Sequence, residues 1–72
     1  MVVYRIRHPI VVARQIAPGR FTTEKLPIGT LLKLAYQPRS SGVVQALWES
    51  QVVLAFAHDL LANAEPIPPK AP

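Results

Sequence analysis

The chain has 72 residues, half of them hydrophobic and only 17% charged, which makes it one small domain and excludes a disordered chain. It has no cysteine, which excludes a disulfide framework and a thiolate metal site. The net charge of +4 is unevenly spread: seven of the eight cations precede Trp48, while three of the four acids follow it.

The first strand is read over Tyr4 to His8, where Tyr4, Ile6 and His8 alternate with Arg5 and Arg7. Pro9 interrupts it, and Ile10 to Ile16 continues as a β-branched strand. Ala17-Pro18-Gly19-Arg20 is a turn, because proline presets φ and glycine tolerates φ above zero. Phe21 to Leu26 is the next strand, ending at Pro27. Thr30 to Tyr36 alternates again, with Leu32, Leu34 and Tyr36 on one face. Gln37 to Gly42 has the composition of a loop.

Val43 to Trp48 and Gln51 to Ala57 form a hairpin across Glu49-Ser50, a turn that lacks the favoured glycine. The pattern assigns Val44, Ala46, Trp48, Val52, Leu54 and Phe56 to the core. It turns Val43, Leu47, Val53, Ala55 and Ala57 outward as a candidate interface. Trp48 is expected to be largely buried and structural, the competing reading being an exposed binding anchor. A short helical turn follows over Asp59 to Asn63 with Asp59 as its cap, then a strand over Glu65 to Ile67. The competing reading winds Ser50 to Ala64 into one amphipathic helix stopped by Pro66. The domain is taken as residues 1–65, with a proline-rich tail over 66–72 that holds two PxxP spacings.

The fold expected is all-β, a small barrel of five to six short strands with one helical turn near the C-terminus. Leu26-Pro27-Ile28-Gly29-Thr30, the hairpin of Val43 to Ala57 and the Asp59-Leu60-Leu61 turn resemble the corresponding elements of SH3-like barrels. The peptide-binding members open with Ala-Leu-Tyr-Asp-Tyr and carry paired tryptophans, which this chain lacks, so their polyproline recognition does not carry over. The chain also resembles small bacterial proteins with an IP-x-G segment, a strand ending in tryptophan and an F-x-x-D-L element, here around Ile28, at Trp48 and at Phe56 to Leu60.

Catalytic motifs are missing. Ser40, Ser41 and Ser50 have no nucleophile-elbow spacing, Gly19, Gly29 and Gly42 are isolated, and His8 and His58 lack an evident third metal ligand. The expectation is a non-enzyme without cofactor, metal or small-molecule substrate. The longest apolar run, Val52 to Ala57, is too short to span a bilayer, and Met1 leads directly into Val2-Val3-Tyr4-Arg5, so the chain is expected to be cytoplasmic.

Two functions fit. In the first, the chain is a protein-interaction module that self-associates, symmetric homodimers being the commonest solution. In the second, it is a nucleic-acid-binding barrel whose phosphate contacts are Arg5, Arg7, Arg14, Arg20 and Arg39. The uneven charge also allows a third outcome, in which the two ends of the chain attract each other within the fold or between subunits.

Overall fold

The structure is a computed structural model that describes residues 1–39 and 41–68. Among these, seven strands and one helix succeed one another as β1 (Val2–Ile6), β2 (Ile10–Ala17), β3 (Arg20–Leu26), β4 (Leu31–Leu34), β5 (Val43–Trp48), β6 (Gln51–Phe56), α1 (Ala57–Asn63) and β7 (Ala64–Ile67). The strands form one antiparallel sheet in the order β3-β2-β6-β5-β4-β1-β7, so the fold is all-β with a single short helix.

A lone sheet must cover its own apolar face, and this one does so by curling. Ile10 and Leu26 come from one end of the strand order and Tyr4 and Ile6 from the other, yet all lie in a single buried cluster. Helix α1 bridges the two ends, contacting β1, β2, β6 and β7 and inserting Ala57 and Leu60 into the core. At the last residue of the helix, the Asn63 carbonyl accepts the amides of Arg7 and His8 at 2.7 and 3.1 Å. The Tyr4 ring is buried, and its hydroxyl donates to Gln37 Oε1 at 2.7 Å, so its polar tip is satisfied.

The 17–20 turn forms as read: Ala17 pairs with Arg20, and Gly19 takes a φ of 72°. The Ser50–Ala64 helix does not form, because β6 runs to Phe56 and only Ala57–Asn63 is helical. The helix begins two residues before the expected turn. Its N-cap is Phe56, with no side-chain cap, and Asp59 sits in the first turn instead, where a carboxylate favours the N-terminal dipole. Strand β4 stops at Leu34, which leaves Tyr36 exposed, and His8 lies beyond the end of β1. Strand β7 takes in Pro66 and Ile67, the first residues of the expected tail, while 69–72 lie outside the described residues.

The Glu49-Ser50 turn is the strained point of the backbone. Both residues have positive φ, 50° and 67°, without being glycine. This is the geometry of a two-residue hairpin whose twist matches its strands, held against a cost of roughly 1–2 kcal/mol per residue for left-handed backbone. The double substitution Glu49→Asn with Ser50→Gly is expected to stabilise the domain by about 1 kcal/mol after the entropy cost of glycine. A thermal melt checks it, with an expected rise of about 4–8 °C.

Candidate interaction surface

The short turn sets which side chains of the hairpin face outward. Because Glu49 and Ser50 alone close it, Trp48 pairs with Gln51, Leu47 with Val52, Ala46 with Val53 and Val44 with Ala55. Directly opposed residues share a face. The inward positions are therefore even-numbered in β5 and odd-numbered in β6. Val44 and Ala46 are core residues, as read.

On β6 the expectation is reversed. Val53 and Ala55, and Ala57 at the start of α1, are 0%, 2% and 1% exposed, so these three members of the expected interface belong to the core. Val52 and Leu54 are only partly covered, and Phe56, placed in the core by the pattern, is 61% exposed. Of the five interface candidates, Val43 and Leu47 do face outward.

The corrected register assembles an apolar surface that the pattern alone missed. Ala13 pairs with Leu54, and the same antiparallel ladder carried two residues further places Val11 beside Phe56. Phe56 in turn pairs with Val43. Val11, Phe56 and Val43 thus form a row across β2, β6 and β5, with Ala13 and Leu54 beside it. They line a shallow hollow of about 330 Å³, bordered by Thr23 of β3. Among the described residues, no charged side chain lines it.

A larger groove of about 750 Å³ lies over β1, β4 and the 47–50 segment. Its walls include Val3, Ile28, Leu31, Leu47 and Trp48, together with the charged Lys33 and Glu49. Trp48 is therefore partly buried against the core while also standing in a groove wall.

The basic residues do not converge. Arg5 and Arg7 meet Glu65 at 2.9 and 3.8 Å, tying β1 to β7, so the two oppositely charged ends of the chain do attract each other within the fold. Arg14 bonds Glu24 at 2.9 Å and the Gln51 side-chain oxygen at 3.3 Å. Arg20 opens β3 at the far turn, and Arg39 sits in the loop between β4 and β5. Three of the five candidate phosphate contacts are thus engaged with carboxylates, and the five are spread over separate parts of the fold.

Among the described residues, no group of three or more His, Asp or Glu stands together, and no helix is long and apolar enough to cross a membrane. Comparison with protein-family models, curated proteins and solved structures finds no match to this chain.

Proposed function

We propose that the chain is a small non-enzymatic protein-interaction module that self-associates through the outer face of β2, β6 and β5. The curled sheet, with its long β2–β3 hairpin and terminal helical turn, is read as a variant of the SH3-like barrel. One observation supports the interaction reading above others: Phe56, Val43 and Val11 are 61%, 59% and 52% exposed in adjacent strands, although the chain is only 72 residues long. Contiguous apolar surface of this kind marks interaction sites. The described lining carries no charge that would oppose a like surface, so a second copy can cover it about a two-fold axis.

Light scattering after gel filtration at micromolar concentration tests this. The wild type is expected to exceed the 7.9 kDa of one chain, and Phe56→Glu is expected to lower the measured mass. The side chain is exposed, so the folded state should change by no more than about 0.5 kcal/mol. A wild type that runs as a single chain, or a Phe56→Glu protein of unchanged mass, overturns the reading.

A further inference from the structure

Among the described residues the sheet has two open edges, and they are finished differently. Strand β7 is four residues long and contains Pro66, whose missing amide suits an edge that accepts no further strand. Strand β3 is seven residues long, contains no proline and pairs only with β2. Its centre, Phe21-Thr22-Thr23, is made of residues that favour strands. It leaves a row of backbone donors and acceptors along an open edge.

We infer that β3 pairs antiparallel with β3 of a second copy, about a two-fold axis through Thr22. The inference builds on the self-association proposed above but adds a second contact of a different kind. Charge picks the register. Centred on Thr22, the pairing sets Thr22 against the partner's Thr22, Phe21 against the partner's Thr23, and Arg20 against the partner's Glu24. Each is a favourable cross-strand pair.

Arg20 has no carboxylate within ion-pair distance among the described residues. Glu24 uses only Oε1 toward Arg14, which leaves Oε2 for the incoming guanidinium. Arg20 and Glu24 alternate with Phe21 and Thr23 and so share one face of the strand, as a directly opposed pair must. Lys25, the cation that would guard the edge, falls opposite the partner's Gly19 at the end of the ladder. Centring on Glu24 would oppose two carboxylates, and centring on Thr23 would set Arg20 against the partner's Leu26.

An axis perpendicular to the sheet leaves the outer faces of both copies on the same side. The rows of Val11, Phe56 and Val43 in the two copies then face the same way on one continuous sheet, offset by about 20 Å along the strands because Val11 pairs with Lys25. Two such sheets, packed face to face, close a tetramer with three mutually perpendicular two-fold axes. The two contacts are thereby separable.

The wild type is expected to have the mass of four chains. Arg20→Glu, which places two carboxylates in opposition, is expected to halve it, and Phe56→Glu is expected to halve it by the other contact. An unchanged mass for Arg20→Glu overturns the edge pairing while leaving the outer-face reading intact. An unchanged mass for Phe56→Glu does the reverse.

Because the chain has no cysteine, a single introduced thiol reports the register directly. Thr22→Cys sits on the axis, with Cα atoms about 4.5–5.5 Å apart, and is expected to oxidise to a disulfide-linked pair. Lys25→Cys is displaced by about 20 Å along the strands and is expected to remain a free thiol. Equal cross-linking of the two variants, or none in Thr22→Cys, overturns the inference.

Discussion

Val53→Asp is expected to unfold the protein, whereas Phe56→Glu, three residues away, is expected to leave it folded. The Val53 side chain is fully buried opposite Ala46 and beside Arg14 in the ladder with β2. A carboxylate at that point loses its water in the core, and the neighbouring Arg14 guanidinium is already shared between Glu24 and Gln51. An uncompensated buried charge costs about 3–5 kcal/mol. A domain of this size has roughly 5 kcal/mol in total. Circular dichroism at 25 °C checks the pair of variants. A folded Val53→Asp protein together with an unfolded Phe56→Glu protein would show that the hairpin register is inverted.

That contrast marks where the sequence is legible and where it is not. In β5 the one polar residue, Gln45, marks the outer face and so places Val44 and Ala46 inward. Residues 52–57 are apolar at every position, so period two carries no information there. Size misleads as well, because the larger Leu54 and Phe56 take outer positions while the smaller Ala55 and Ala57 are buried. What decides the register is the length of the turn. Two loop residues oppose Trp48 to Gln51 and fix every later pair, and a shift of one residue would send each side chain to the other face. The Glu49-Ser50 turn was readable, and parity follows from it rather than from hydrophobicity.

The helix and the charges divide in the same way. Asp59 carries the mark of a capping residue, yet the chain enters the helix at Ala57 without any side-chain cap. Burial of Ala57 and Leu60 against the sheet supplies what the missing cap does not. The opposite charges of the chain ends were visible as composition, and Arg5 and Glu65 prove to be direct cross-strand partners. The outer surface of Val11, Phe56 and Val43 was not visible, because its three strands come together only through the order β2-β6-β5. Residues 11 and 56 are distant in sequence, and no local pattern announces that they will be neighbours.

Leu60→Ala is expected to cost about 3–5 kcal/mol, most of the stability that the domain has. Leu60 is fully buried at the junction where α1 meets both ends of the sheet order. A helix of seven residues is too short to persist by its own hydrogen bonds and holds its shape through packing. Truncating Leu60 opens a cavity under it and loosens the bridge between β1 and β2. The Asn63 carbonyl, which anchors the amides of Arg7 and His8, then loses its support. Two measurements follow the effect. The urea midpoint should fall with the slope unchanged, as for a loss of stability without a change in the unfolded chain. In hydrogen exchange, the Arg7 and His8 amides should lose protection before those of the β5–β6 ladder, because local opening begins where packing is thinnest. Simultaneous loss across the whole sheet would mean instead that α1 and the sheet form one cooperative unit, with no separate opening of the helix.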